Sequence, residues 1–359
     1  MEQQASEESV TEDRVLRLGI IGCGAIAHLH ADAILKTEGV ELSCLVDADE
    51  ARARDLAALF RVNCPVLKDY REAVGRMEAA IVALPHHLHG KVNLDLLGAG
   101  IHVLCEKPLA TSIEEAESCV AQAGEKKMTL GVGMIRRFHW TTALMRLLMS
   151  SGQLGSLERF EQVDGAAHSW PSATPFYFSR ELAGGGIFTT MGVHLLDSLL
   201  AWFDDLEAAG YADDNFGGIE ADACARLLGR VGSEIVPGTL RCTNLYDLRS
   251  HFTVFGSKGS ATIHGDNTVS IEVRGAVAGR ELAWWVKDPQ APEVLPPDYV
   301  YFQAQIRDFA EAVRTGRPPR ADGPTAVRVL RIIDQCYGMA SRLEQPWMEL
   351  ALFPEGEVA

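Results

Sequence analysis

The sequence predicts an N-terminal α/β domain of the Rossmann type, with a doubly wound parallel sheet, followed by an α+β domain with an open, mostly antiparallel sheet. A glycine-rich turn, Gly19–Ala27, lies between a short apolar strand and an apolar helix. Short strands and helices then alternate, which is typical of a parallel sheet. Later strand-like runs surround a hairpin-like turn, Gly256–Gly259. We therefore expect a disordered tail at 1–14, a nucleotide-binding domain at 15–138, and a substrate-binding and oligomerisation domain at 139–359.

The first strand–turn–helix unit has the pattern of a dinucleotide-binding loop. The apolar strand Val15–Ile21 is followed by two glycines with the spacing G-x-G-x-x-A. The first glycine permits a tight turn, and the second lets backbone N–H groups approach a pyrophosphate at a helix N-terminus. A glycine turn without a ligand is the alternative. The residues that we expect to bind the cofactor here are Gly22, Gly24, Ala25 and Ile26.

The acidic residue that ends the second strand favours NAD over NADP. The apolar run Leu42–Val46 is followed by Asp47, whose carboxylate can accept hydrogen bonds from the adenosine ribose. Asp49 adds negative charge where a 2′-phosphate would lie. Arg52 and Arg54 are close enough in sequence to leave NADP open.

The next elements continue the alternation. Ala79–Leu84 is an unbroken apolar run, as expected of a parallel strand buried on both faces. In chain order, the predicted elements after Asp47 are a helix at 50–60, a short strand at 65–67, a helix at 69–74, a strand at 79–84, a helix at 88–97, a strand at 102–105, a helix at 113–126 and a strand at 128–134.

The second half has a different pattern. A helix at Thr141–Met149 leads into strand-like runs, and an amphipathic helix is centred on Phe302–Val313. The last helix, 325–341, can pack back on the first domain. The strand-like runs are 157–163, 236–246, 251–255 and 260–264.

Composition excludes several function classes. The chain has 33 Lys+Arg against 49 Asp+Glu, a net charge of −16, which argues against nucleic acid or an anionic membrane as the main partner. No apolar run has membrane length, and Met1–Glu12 lacks the basic and apolar regions of a signal peptide. The eight cysteines occur singly, without a C-x-x-C pair. Reduced thiols in a cytoplasmic protein are therefore predicted.

Three further segments, together with the glycine loop, resemble one family. Glu106-Lys107-Pro108 follows the fifth strand, Gly184–Gly186 precedes a helix with the pattern G-x-H-x-x-D, and Phe252–Ser260 is the third. From Leu16 to Arg342 the chain resembles the glucose–fructose oxidoreductase/inositol dehydrogenase/MocA (Gfo/Idh/MocA) family. The resemblance implies an NAD(P)-binding domain, an open-sheet substrate domain, oxidation of sugars, polyols or cyclitols, and pairing of subunits into a dimer or tetramer.

The resemblance and the chemistry of the residues together indicate a catalytic pair. Lys107 would lie at the carboxyl end of a parallel strand, where it can polarise a substrate hydroxyl, and both Lys107 and Glu106 beside it are expected to contact the cofactor. His194 can take the hydroxyl proton. The alternatives to these catalytic roles are that Lys107 is a solvated surface charge or forms an ion pair with Glu106, and that His194 is a histidine of the core. Family members often have aspartate at the position of Thr190, which we expect to contact substrate. Asp197 lies three residues after His194 and is expected to orient the His194 ring or to contact the substrate. A purely structural role is the alternative for Asp197.

Pro85–His89 contains three histidines but no carboxylate or cysteine that would complete a metal site, so we expect no metal. The position of this segment matches the family loop on the nicotinamide side of the cofactor. Pro85, His86 and His89 are therefore predicted cofactor contacts.

Arg136 is placed to hold an anionic substrate group, although it can equally be a charge on the rim. Trp170 can stack on a sugar ring. The predicted function is an NAD(P)-dependent dehydrogenase that transfers hydride between nicotinamide and a secondary alcohol of a sugar, sugar derivative or cyclitol. The alternatives are an NAD-dependent glycosidase or lyase that works by transient oxidation, and a coenzyme-binding regulator without catalysis.

Overall fold

The computed structural model describes residues 14–167, 175–215, 219–277, 280–286 and 297–343. The predicted N-terminal tail lies outside these residues, apart from Arg14. The first sheet has the all-parallel strand order β3-β2-β1-β4-β5-β6, which is the Rossmann order, as predicted. Its strands are β1 (Leu16–Ile21), β2 (Val40–Val46), β3 (Val66–Leu67), β4 (Ala79–Val82), β5 (His102–Cys105) and β6 (Leu130–Val132).

The helices of this part connect its strands. They are α1 (Ala25–Leu35), α2 (Glu50–Phe60), α3 (His86–Gly98) and α4 (Ile113–Lys126). The Asp49 and Ser112 side chains accept hydrogen bonds from the first-turn N–H groups of α2 and α4, which explains where these helices begin. One predicted element type was wrong. The segment at 69–74, expected to be an α-helix, forms only a 3-10 turn, Tyr70–Ala73.

The second part is built on a nine-stranded sheet of order β14-β13-β12-β11-β7-β10-β9-β8-β15. All neighbours are antiparallel except the pairs β7–β10 and β8–β15, so the prediction of a mostly antiparallel sheet is confirmed. The elements are α5 (Trp140–Ser150), β7 (Leu157–Gly165), α6 (Arg180–Ala183), α7 (Val193–Trp202), β8 (Asp205–Asp213), β9 (Asp222–Val231), β10 (Glu234–Thr243), β11 (His251–Gly256), β12 (Gly259–His264), β13 (Val269–Val277), β14 (Arg280–Val286), α8 (Pro297–Thr315), α9 (Gly323–Gly338) and β15 (Ala340–Arg342).

The sequence patterns missed β8, β9, β13 and β14, and they placed the end of the last helix too late. That helix ends at Gly338, and the next residues pair with β8 as β15. The last two helices bring the second part of the chain back to the first sheet. Helix α8 packs on α1 through Phe302, Ile306 and Phe309, and α9 packs on α4. In the described part of the chain, no helix is both long enough and apolar enough to cross a membrane.

Candidate active site

The glycine loop leaves the N-terminus of α1 open. Gly22 has φ +94°, and a Cβ added to it would lie 2.3 Å from the Ala83 carbonyl oxygen, so only glycine fits there. A Cβ added to Gly24 would meet no atom within 4 Å, so the space in front of this residue is free. Helix α1 begins at Ala25, and Gly24 caps it without a side chain. The first N–H groups of a helix have no acceptor within it, which makes this open end suited to a pyrophosphate.

Asp47 is tied to the same loop. Its Oδ2 accepts a hydrogen bond from the Cys23 N–H at 2.8 Å, and its Oδ1 accepts one from the Asp49 N–H at 2.9 Å. Each carboxylate oxygen has a second lone pair, so both can still accept hydrogen bonds from ribose hydroxyls. The carboxylate is therefore held in place at the end of β2, next to the loop.

The two arginines that left NADP open have carboxylate partners. Arg52 Nε lies 3.5 Å from Asp49 Oδ2, and Arg54 Nη2 lies 2.6 Å from Glu50 Oε2. Both pairs lie at the start of α2. The Asp47 carboxylate, in contrast, accepts hydrogen bonds from backbone N–H groups.

Cys23 is a packing residue of the loop. It is buried, and its Sγ lies 3.7 Å from the Val46 carbonyl oxygen. Burial, and then the negative charge of Asp47, raise the pKa of this thiol to about 12. A reactive thiolate is therefore disfavoured at this position.

His86 and His89 are buried, and backbone carbonyls hold both rings. His86 Nδ1 lies 2.9 Å from the Ala183 oxygen, while His89 has Nδ1 at 2.7 Å from Pro108 and Nε2 at 2.8 Å from Leu84. Burial lowers the pKa of both rings. These contacts fasten α3 to the segments around it, and the cofactor contacts expected of the two histidines stay predictions.

Pro85 precedes α3 as its N-cap residue and is partly exposed, and its contact with the cofactor stays a prediction. Among the described residues, no group of three or more histidine, cysteine or acidic side chains is arranged to hold a metal ion.

Lys107 lies immediately after β5 and reaches the second part of the molecule. Its Nζ donates a hydrogen bond of 2.8 Å to the Thr190 carbonyl oxygen. The side chain is half-buried, and the peptide bond to Pro108 is cis. Burial lowers the pKa of Lys107 to about 8, and the charge of Arg136 adds to this, while the negative charge of Glu106 opposes it.

Glu106 points into the protein. Its Oε1 lies 2.7 Å from His30 Nε2, and its Oε2 accepts a 3.2 Å hydrogen bond from the Lys107 N–H. Burial raises the pKa of this carboxyl, but the hydrogen bond from His30 and the charge of Lys107 outweigh burial and lower it overall. Glu106 therefore contacts the His30 ring and the Lys107 backbone, and its contact with the cofactor stays a prediction.

Thr190 lies on a π-helical turn, Phe188–Gly192, that runs directly into α7. Its hydroxyl donates to the Gly186 oxygen at 3.0 Å, while its backbone carbonyl accepts from Lys107. The Thr190 side chain therefore turns towards its own helix, and the backbone of this position supplies the contact with the lysine.

His194 follows in the first turn of α7. It is half-buried, and its Nδ1 is buried without a hydrogen-bond partner in the described part of the chain. Burial, and then the charges of Lys107, Arg136 and His139, hold the pKa of this ring well below its usual value. The imidazole is therefore neutral at neutral pH and can accept a proton or a hydrogen bond.

Asp197 does not orient His194. Both of its carboxylate oxygens accept hydrogen bonds from Arg137 Nε, at 2.8 and 2.9 Å, and the side chain is 1% exposed. Burial raises the pKa of Asp197 to about 6, although the charge of Arg137 opposes this. The pair fastens the 3-10 helix Ile135–Phe138 to α7, so the structural alternative fits Asp197.

Arg136 is half-buried and already has an acidic partner. Its Nη2 donates to Asp164 Oδ2 at 2.7 Å and lies 3.5 Å from Met191 Sδ. Ser250 Oγ donates to the other oxygen of Asp164 at 3.1 Å. Trp170, predicted to stack on a sugar, lies outside the described residues.

Sequence reasoning missed the residues that support the glycine run before Thr190. Glu220 Oε1 accepts hydrogen bonds from the Gly186 and Phe188 N–H groups at 2.9 and 3.1 Å, and from Tyr337 Oη at 2.7 Å. Burial raises the pKa of Glu220. No local motif marks Glu220 or Tyr337, since their link depends on how α9 packs on α7.

Two protein-family models match consecutive parts of the chain. Residues 16–134 match a model described as an oxidoreductase family with an NAD-binding Rossmann fold. Residues 142–262 match the GFO/IDH/MocA C-terminal domain. The first match corresponds to the first sheet, and the second covers most of the nine-stranded sheet.

Whole-chain relatives point the same way. The chain is 28% identical over 327 residues to the rhizopine catabolism protein MocA of Rhizobium meliloti, covering 91% of this chain and 95% of that protein. It is 27% identical over 267 residues to inositol 2-dehydrogenase of Rhizobium meliloti (strain 1021), covering 72% and 78%. A levoglucosan dehydrogenase solved in complex with NADH has a similar fold, with a TM-score of 0.80 at 18% identity over 90% of this chain and 96% of that one.

Proposed function

Because the chain belongs to the Gfo/Idh/MocA family of NAD-binding oxidoreductases, we propose that it transfers hydride between nicotinamide and a secondary alcohol of a sugar, a sugar derivative or a cyclitol. Named relatives are dehydrogenases of inositol, a cyclitol, and levoglucosan, an anhydro-sugar. The acidic surface of this chain is consistent with a small uncharged or weakly charged substrate rather than a polyanion.

The hydrogen bond between Lys107 and the Thr190 carbonyl carries this proposal. It brings the end of β5 against the turn that leads into α7. Thr190 and His194 are four residues apart on continuous helical backbone, so they share one face. The charge of Lys107 also acts on the His194 ring, which supports a cationic amine and a neutral imidazole near each other at the carboxyl edge of the parallel sheet.

The residues of the first sheet fit NAD. The open end of α1 at Gly24 would receive the pyrophosphate, and Asp47 would receive the adenosine ribose. When it is bound, the nicotinamide supplies the hydride acceptor for oxidation or the hydride donor for reduction.

The protein's own groups handle the oxygen and its proton. Below its pKa of about 8, Lys107 is an ammonium that can donate a hydrogen bond to the reacting oxygen and stabilise negative charge on it. During oxidation the hydroxyl proton passes to a ring nitrogen of His194, which is neutral and able to accept it. During reduction the same proton returns from the imidazolium to the alkoxide oxygen.

We further propose that the subunits associate through the nine-stranded sheet into a homodimer or homotetramer in the cytoplasm. The family resemblance supports the association, and the eight free thiols favour a reducing compartment. Light scattering coupled to size-exclusion chromatography measures the number of subunits. A monomer would contradict the proposed association.

The function is tested by following NADH formation with a panel of sugars, sugar acids, anhydro-sugars and cyclitols, with NADP run in parallel. Lys107→Ala and His194→Ala should each reduce kcat by about 100-fold or more on the substrate found, as loss of a positioned acid or base does. Lys91→Ala removes an exposed lysine from α3 and serves as the matched control.

Three results would count against the proposal. The Lys107→Ala variant could retain its rate, the control could lose its rate equally, or tightly bound NAD could give no turnover with any member of the panel. The last result would favour an NAD-dependent glycosidase or lyase, or a coenzyme-binding regulator.

A further inference from the structure

His30 and Glu106 form a buried contact below the active site. His30 lies on α1 and is 0% exposed, while Glu106 follows β5 and is 8% exposed. The distance between His30 Nε2 and Glu106 Oε1 is 2.7 Å. A buried carboxylate that neighbours the reacting lysine needs a hydrogen-bond donor to remain ionised, and His30 is in position to provide one.

The surroundings of the imidazole indicate which nitrogen carries the hydrogen. Nε2 faces the carboxylate, whereas Nδ1 is buried and has no hydrogen-bond partner among the described residues. A hydrogen on Nδ1 would be a donor without an acceptor, which is costly inside a protein. We therefore assign the hydrogen to Nε2, so that His30 donates to Glu106. The edge-to-face contact of His30 with Phe302, at 5.0 Å between centroids, fixes the ring.

The Glu106 carboxylate has little freedom to turn away from Lys107. Its second oxygen accepts the Lys107 N–H at 3.2 Å. On another side lies Gly133, where an added Cβ would approach the carboxylate atoms to between 2.8 and 2.9 Å. One oxygen is thus held by α1 and the other by the lysine's own backbone.

The charges around Lys107 show why this carboxylate matters. The ionisable groups that interact with Lys107 or with the Glu106 carboxylate come from six elements. They are His30 on α1, Glu106 after β5, His86 and His89 on α3, Arg136 on the 3-10 helix Ile135–Phe138, Tyr177 on the 3-10 helix Pro175–Phe178, and His194 on α7. Burial and Arg136 favour the neutral amine, and Glu106 is the group that favours the ammonium.

We propose that His30 is a positioning residue for hydride transfer, which holds the Glu106 carboxylate ionised beside Lys107 and thereby keeps Lys107 protonated at the working pH. This inference rests on the proposed function only in assigning Lys107 to the reacting oxygen. His30 itself touches neither the lysine amine nor the cleft, and it acts through Glu106 alone.

The test measures the ionisation of Lys107 in the purified full-length protein without any substrate. Acetic anhydride acylates only unprotonated amines, so the rate of Lys107 acetylation against pH, followed by mass spectrometry, gives the pH at which half of Lys107 is protonated. The unmodified protein should give a midpoint of about 8.

Four variants separate the electrostatic role from a packing role. Glu106→Gln and His30→Leu should both move the midpoint to lower pH by about one unit or more, since a close opposite charge shifts ionisation by that amount. His30→Gln keeps an N–H donor on a side chain of similar length and should restore most of the shift. His102→Leu is the matched control, because His102 is a half-buried histidine at the other end of β5 that accepts from the Thr129 N–H.

An unchanged midpoint in Glu106→Gln overturns the proposal, even if His30→Leu cannot be purified in folded form. An unchanged midpoint in a folded His30→Leu variant also overturns it, as does an equal shift in His102→Leu. Failure to find a substrate would contradict the proposed function but would leave this measurement intact, so the two failures are distinguishable.

Discussion

The Nζ of Lys107 lies 2.8 Å from the carbonyl oxygen of Thr190, and this hydrogen bond connects the parallel sheet to the helix that carries His194. Because the acceptor is a backbone atom, the contact does not depend on the side chain at position 190. The threonine found where family members often have aspartate is therefore compatible with a lysine held in place. Threonine in place of aspartate removes one negative charge from the surroundings of Lys107.

The first prediction concerns the pH dependence of catalysis. An ammonium is present below its pKa and is lost as pH rises through it, and burial lowers the pKa of Lys107 to about 8. We therefore expect kcat/KM to fall above about pH 8, by about ten-fold for each further pH unit. A pH profile with the fall placed near the ordinary lysine pKa of about 10.4 would contradict this assignment.

The second prediction concerns Thr190. Thr190→Val keeps the carbonyl that binds Lys107 and should leave kcat within a few-fold of the unmodified enzyme. Thr190→Asp adds a negative charge at the position whose carbonyl binds Lys107, which stabilises the ammonium, so the fall in kcat/KM should move to higher pH by about one unit. The pH profiles of the two variants provide the measurement. A loss of 100-fold or more in Thr190→Val would show that the hydroxyl, rather than the carbonyl, is used.

The first strand–turn–helix unit could be predicted because its determinants are local. Gly22, Gly24 and Asp47 lie within one unit, and the positive φ of Gly22 and the hydrogen bond from Cys23 to Asp47 need only that unit to be formed. The buried strands of the first sheet could also be predicted, because their apolar runs are continuous in the sequence.

Contacts between distant residues could not be predicted in this way. His30 and Glu106 are 76 residues apart, and the sequence shows His30 only as one residue on the apolar face of a helix. Helical spacing leaves Asp197 either beside His194 or in a structural role, and it cannot name the partner, Arg137, which lies 60 residues earlier. The strands β8 and β9 were missed because short apolar runs broken by Gly210 and Gly229 lack a clear alternation.

The third prediction compares the two loop glycines. Gly24→Ala adds a methyl group in free space, so thermal stability should change little, while the Kd for NAD should rise by about ten-fold or more because the pyrophosphate must approach that backbone. Gly22→Ala places a side chain at a φ of +94° and a Cβ only 2.3 Å from the Ala83 carbonyl oxygen, and should cost about 1–3 kcal/mol or more of unfolding free energy. Scanning calorimetry measures the loss of stability in each variant, and titration calorimetry measures the Kd for NAD. Equal stability of both variants would contradict the geometry of the loop.

The fourth prediction concerns the cofactor preference. Asp47→Ser removes the charge that disfavours a 2′-phosphate and one acceptor for the ribose. The KM for NAD should rise by about ten-fold or more, and the ratio of kcat/KM values should move towards NADP. Asp55→Ser, on the exposed face of α2, is the control and should leave both values unchanged. An unchanged preference in Asp47→Ser would assign the discrimination to other residues.

The fifth prediction concerns the buried pair of Arg137 and Asp197, whose side chains are 13% and 1% exposed. Arg137→Met leaves the Asp197 carboxylate without its partner in the interior, which should cost about 3–5 kcal/mol of unfolding free energy. Adding Asp197→Leu removes the buried, unpaired carboxylate. The double variant should therefore recover most of the lost unfolding free energy. Arg54→Met breaks an exposed pair with Glu50 and should cost less than about 1 kcal/mol. Urea unfolding of the variants measures these differences. A double variant less stable than Arg137→Met would show that the carboxylate has a further partner and that the pair is not an isolated link between the 3-10 helix and α7.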